Sequence, residues 1–294
     1  MFLAHRTFLA AAVLAQLTRA IDLNNPLDGC PPAAAAIANN NNIFNSTGEA
    51  TFQLKGQSEP WHLALAFSDE RAKNTIYGLE PTRQTLSVIV SVPETFPNSE
   101  AGNQTSLCVY RLEQKNGTAA NAQSTCTGII SDDCIRALNN VPAPKDGLCP
   151  VPDIASACGS VTVVGSTTTP VVFSNTLCST NATMSGSESI PDGFQNYITF
   201  ASGPVNNSDD SQKSFIEYSD RILQPAPILI TAQFGGPANS TSNSTDSKLL
   251  CLAPSKVLQG SREAVAKASS AAMVSAAFFK PLLLMTLASI MMVL

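Results

Sequence analysis

Eight cysteines set the terms on which this chain of 294 residues can fold: Cys30, Cys108, Cys126, Cys134, Cys149, Cys158, Cys178 and Cys251. An even count in an exported chain implies four disulfides, while spacing alone leaves the connectivity open. Six of the eight fall between Cys108 and Cys178, so the staples concentrate in the middle of the chain. Cys30 and Cys251 lie nearest the ends, and a bridge between them would tie the termini together. A bridge closing a loop of about 15 residues contributes on the order of 3 kcal/mol in the chain-entropy model. A metal role for these cysteines is disfavoured, because no C-x-x-C spacing occurs and His62 is far from them in sequence. No metal or other cofactor is therefore expected.

Both ends of the chain match export addresses. Residues 1–20 begin with His5 and Arg6, continue as an apolar run from Phe8 to Ala15, and end with small residues at Thr18 and Ala20. That is the anatomy of a secretory signal peptide. The run is too short to cross a bilayer, which takes about 20 residues. At the other end the chain finishes PLLLMTLASIMMVL, with no charge after Lys280. Ser269, Ser270 and Ala271 form a small-residue run, and Ala272 to Lys280 separates it from that tail. Small run, spacer and tail match the attachment signal for a glycosylphosphatidylinositol (GPI) anchor, with Ser269 and Ser270 as candidate attachment residues. The competing reading is a retained helix over 271–294, which would place Lys280 mid-bilayer at about 2.5–3.5 kcal/mol.

Seven Asn-x-Ser/Thr sequons, at Asn45, Asn103, Asn116, Asn181, Asn206, Asn239 and Asn243, fit the same compartment. Glycans there would supply solubility that charge does not. Only 13% of residues are charged, against about 25% in an ordinary soluble domain. Without the two end segments, fourteen basic residues face twenty-two acidic ones, a net charge of −8. Such a balance excludes the basic surface that nucleic-acid binding requires. The 44% hydrophobic content is enough for a packed core.

Between the ends, residues 21–48 include the low-complexity run PPAAAAIANNNN and read as an extended arm. Residues 49–255 read as a β-rich ectodomain with a cysteine-rich middle at 108–178, followed by an alanine-rich stem over 256–270 and the anchor propeptide at 271–294. Two alternating segments are the clearest strands. Trp61, Leu63, Leu65 and Phe67 share one face, with His62, Ala64 and Ala66 on a smaller, exposed one. Leu86, Val88, Val90 and Val92 repeat the pattern opposite Ser87 and Ser91. Further strands are expected at 50–54, 107–112, 160–164, 170–173, 197–201, 228–234 and 248–252. Helix is scarce: Ser131 caps a short one over 132–139, and Asp153 starts a single turn before Cys158. Residues 206–214 read as a polar loop. The expected fold is a mostly β, disulfide-stabilised sandwich with one or two short helices.

Catalytic chemistry finds little purchase. His62 is the imidazole left once the leader is gone, and no G-x-S-x-G elbow accompanies it. Thiol catalysis would need an unpaired cysteine, against the even count. The acidic pairs Asp69-Glu70, Asp132-Asp133 and Asp209-Asp210 read as a turn, a helix first turn and a solvated loop. Trp61 shares its face with large apolar residues, so it is expected in the core rather than on a sugar-stacking platform.

Signal peptide, cysteine-bearing β domain, Ser/Thr/Asn-rich late loop, short stem and GPI signal together resemble fungal GPI-anchored cell-surface glycoproteins. The stretch from Cys126 to Ile135 (CTGIISDDCI) is similar to one that recurs in uncharacterised members of that class. The resemblance implies a non-enzymatic glycoprotein on the extracellular face of the plasma membrane, held in the outer leaflet by its lipid. Its role would be wall organisation, surface contact or ligand binding, with wall polysaccharide or surface proteins as partners. The alternative is a wall-modifying glycosidase or transglycosylase using two sequence-distant carboxylates.

Overall fold

The alternation at Trp61 and Thr85 builds the centre of the protein. The computed structural model describes residues 44–70, 74–75, 78–79, 83–114, 125–167, 170–173, 179–180, 190–201, 205–206, 211–235 and 244–265. Its first half runs β1 (Ser46–Phe52), β2 (Trp61–Glu70), β3 (Asn74–Thr75), β4 (Gly78–Leu79), β5 (Arg83–Pro93), α1 (Glu100–Asn103), β6 (Ser106–Gln114), α2 (Asp132–Asn139) and α3 (Ala155–Cys158). Then follow β7 (Val161–Ser166), β8 (Val171–Val172), β9 (Ser179–Thr180), β10 (Phe194–Ala201), β11 (Val205–Asn206), α4 (Ser211–Leu223), β12 (Ala226–Phe234), β13 (Ser244–Leu252) and β14 (Lys256–Val257). One sheet is ordered β14-β1-β2-β5-β10-β9 with β11 also on β5, and the other β13-β12-β6-β7 with β8 also on β6. Both are antiparallel; β3 and β4 form a separate hairpin.

Register makes the faces. Leu63 pairs with Val90, Leu65 with Val88 and Phe67 with Leu86, so their side chains stand side by side. They meet Leu107 and Val109 of β6 and Ile228, Ile230 and Phe234 of β12 in one hydrophobic core shared by the two sheets. Trp61 is 1% exposed at its centre. Its ring makes edge contacts with Phe52, Phe96, Phe173 and Phe234 at centroid distances of 6.2, 5.0, 5.4 and 6.3 Å. Each large apolar side chain buried in this way contributes about 1.5–3 kcal/mol.

The opposite face of the second sheet carries Cys108, Tyr110, Leu112, Val161, Leu229 and Cys251, and packs under Leu138 and Ile154. Helices α2 and α3 thus form a cap, and the three described disulfides hold it. Cys108–Cys149 ties it to β6, Cys126–Cys251 to β13, and Cys134–Cys158 joins α2 to α3. The Tyr110 hydroxyl adds a hydrogen bond to the Pro150 carbonyl at 2.7 Å. A Cys30–Cys251 bridge is therefore wrong. Alternation along β13 turns Cys251 away from core residues Leu250 and Leu252 and toward the cap, where Cys126 waits. Cys30 and Cys178 lie outside the described residues.

Helix α2 starts as its sequence dictates, with the Ser131 hydroxyl accepting from the Cys134 amide at 3.3 Å. Helix α3 begins two residues after Asp153, and Ile154 at its N-cap makes no side-chain bond. Helix α4 overturns the loop read at 206–214: Ser211–Leu223 is helical. Tyr218 and Ile222, one helical turn apart, fill the main core.

The chain ends beyond β13 also differ from expectation. Residues 256–265, read as the start of a stem, stay on the domain. Lys256 and Val257 pair with Thr47 and Ser46, and the Tyr218 hydroxyl donates to the Arg262 carbonyl at 2.6 Å. The arm read over 21–48 likewise ends inside β1, whose Ser46–Gly48 pairs with β2. Gly48 is required there, since a Cβ would lie 2.1 Å from the Ala253 carbonyl oxygen. Residues 1–20 and 271–294, with Ser269 and Ser270, lie outside the described residues. Among the described residues no helix is long and apolar enough to cross a membrane.

Candidate functional site

Inward positions along β6 are Leu107, Val109 and then a charge, Arg111, while Cys108, Tyr110 and Leu112 face the cap. Arg111 pairs with Ile228 of β12, and the register against β7 shifts between Arg111 and Leu112. Such an irregularity re-aims side chains. Across from it, the last turn of α4 presents Arg221, followed by Gln224. Between them lies a cavity of about 40 Å³ whose apolar walls are Phe67, Leu86, Pro225 and Pro254. The Gln224 amide donates to the Gln114 carbonyl at 3.3 Å beside it.

Charge in this cavity is unbalanced. Arg111 and Arg221 are two cations, and Glu113, itself exposed, is the one carboxylate among the lining residues. The Arg111 Nε is buried without a hydrogen-bond partner among the described residues. Burial pushes the Arg111 pKa down, Glu113 opposes that shift, and Arg221 adds to it. A guanidinium nonetheless remains charged at any working pH. The sequence held a signal for this site that the reading above does not use: a charge at an inward-facing position of an otherwise apolar strand.

His62 is placed differently from expectation. Instead of an exposed face it occupies a covered one, at 6% exposure, because Phe44, Ala64, Ala66, Ile89 and Ile198 pack on that side of the first sheet. Its ring stands 4.8 Å from and nearly perpendicular to that of Phe194, and Nδ1 lies 3.3 Å from the Thr51 hydroxyl. Register sets Ser91 beside it, yet the Ser91 hydroxyl donates to the Asn196 Oδ1 at 2.6 Å, so its proton is committed elsewhere. Burial lowers the His62 pKa below its ordinary 6.5, against an opposing pull from Glu49. The native state then binds fewer protons than the unfolded chain, so stability rises with pH through the window below 6.5 and levels off above it. Urea unfolding at pH 5 and pH 7.5 is expected to show His62→Gln losing less stability on acidification than the parent.

The acidic pairs do not gather. Asp69 accepts a hydrogen bond from Gln84 at 3.2 Å. Asp132 and Asp133 lie exposed on the first turn of α2, where Asp133 pairs with Arg136. Asp209 and Asp210 lie outside the described residues. A second, open groove runs between β1, β13 and the cap, lined by Gln53, Asn139, Ser247 and Lys248 among others, with no carboxylate. Neither cavity brings two acids together. Among the described residues no cluster of three His, Cys, Asp or Glu side chains is arranged to hold a metal ion.

Of the sequon asparagines, Asn103 is exposed at the end of α1. Asn45 is half-buried, its Oδ1 accepting from the Asp69 amide at 2.5 Å and its Nδ2 donating to Ser261 at 3.4 Å. Asn206 sits in β11. Asn116, Asn181, Asn239 and Asn243 lie outside the described residues. Comparison with protein-family models, with curated protein sequences and with solved structures finds no match for this chain.

Proposed function

We propose that this chain is a secreted, N-glycosylated surface protein, held by a GPI lipid in the outer leaflet of the plasma membrane, whose β-sandwich serves contact or ligand binding rather than catalysis. Wall polysaccharide or neighbouring surface proteins would be its partners. The observation that supports this reading is the disulfide-held cap. Two bridges join a segment carrying two short helices to the back of a sheet, and a third joins those helices to each other. Such bridges persist in an oxidising exterior and are rare in the cytosol. The sole imidazole of the described domain is packed between Phe194 and Thr51, which suits a structural part for it.

Phosphatidylinositol-specific phospholipase applied to intact cells tests the reading. Release of the protein into the medium, with a mass that falls on enzymatic removal of N-glycans, is the expected result. Retention in the membrane fraction after complete digestion would overturn the anchor, and an unglycosylated protein would overturn the export reading.

A further inference from the structure

We infer that the cavity between the end of β6 and the end of α4 is a binding site for a small oxyanion, a carboxylate or phosphate group gripped between the Arg111 and Arg221 guanidiniums. The fold gives no reason for Arg111 to be where it is. Its position is the inward one that continues Leu107 and Val109, and an apolar side chain there would extend the core. Replacing buried charge by well-packed apolar residues is often neutral or stabilising. A half-buried guanidinium whose buried Nε has no hydrogen-bond partner among the described residues calls for a counter-charge from outside the chain.

Three features of the cavity agree on what that counter-charge is. Arg111 Nε, buried and unpartnered among the described residues, offers a donor with nothing there to receive it. Arg221 adds a second planar fork, and such forks match the two oxygens of a carboxylate or the face of a phosphate. A volume of about 40 Å³ has room for two or three waters, which is the scale of one oxyanion head. Phe67, Leu86, Pro225 and Pro254 line the remaining walls. They suit a ligand whose anionic head is attached to an apolar body, and they raise the strength of the charge contact by excluding water. Glu113 is the group that opposes binding, and its exposure lets solvent weaken that opposition. The site is independent of how the protein is anchored.

Titration calorimetry on the mature, oxidised protein tests the assignment, with inorganic phosphate in one arm, acetate in the other, and chloride holding ionic strength constant. Saturable binding of either oxyanion is expected, and the arm that binds more tightly identifies the head group. Arg221→Ala should weaken binding about tenfold, the equivalent of one charge-assisted pair. Glu113→Gln should tighten it. Arg111→Met should abolish it; if that variant does not fold by circular dichroism, the other two decide. No saturable binding of phosphate or acetate, or binding unchanged by both Arg221→Ala and Glu113→Gln, would overturn the site.

Discussion

Opening the Cys126–Cys251 bridge by replacing both cysteines with serine is expected to cost about 5 kcal/mol of stability, the chain-entropy value for a closed loop of this size. The bridge spans 125 residues and is the longest-range of the three described. Against a total stability of about 5–15 kcal/mol for a typical domain, that is a large fraction. Its effect should also be uneven. The main core cluster contains no cysteine, whereas the cluster under the cap contains Cys108, Cys126, Cys134, Cys158 and Cys251. Hydrogen exchange should therefore speed up in α2 and α3 well before it does in β2 and β5. A urea midpoint within experimental error of the parent would contradict the cap's dependence on this bridge.

Trp61→Ala should cost about 3–5 kcal/mol, the range for emptying a large aromatic site in a packed core. Trp61 meets Phe52, Phe96, Phe173 and Phe234 edge-on, drawn from both ends of the domain in sequence. Phe96 and Phe173 are further held by a ring pair with each other, and Phe173 by one with Tyr197, which restricts collapse into the hole. Trp61→Phe keeps a ring in place and should lose much less. Because the chain has one tryptophan, unfolding must be followed by far-UV circular dichroism rather than fluorescence. Equal losses for the two variants would place Trp61 outside the role described.

How far these features were legible in the sequence depends on the range of the interaction. Period-2 alternation is local, and it sorted the side chains of β2 and β5 onto their two faces, while the small face of β2 that it left exposed is covered. Ser131 carries its own capping geometry, and α2 begins where that residue puts it. Helix α4 escaped because its polar first turn, which continues the polar run from Asn206, outweighed the spacing of Phe215, Tyr218 and Ile222. Disulfide pairing could not be read, since it follows from which face of β13 the cap covers. His62 was misplaced for the same reason: alternation says which face a residue is on, and tertiary packing decides whether that face meets water. Arg111 stood in plain sight as a charge in an inward register, but its meaning needed the helix that brings Arg221 across from it.

The cap and the proposed residence outside the cell require the same covalent state. Alkylating protein taken directly from its own cells, denatured but not reduced, and mapping its peptides by mass reads that state in one step. The expected result is no labelled cysteine, with Cys108 joined to Cys149, Cys126 to Cys251 and Cys134 to Cys158. Counting then leaves Cys30 and Cys178 for each other. Label on any of the six mapped cysteines in freshly isolated protein would contradict it, and full labelling of all eight would remove the oxidising exterior from consideration.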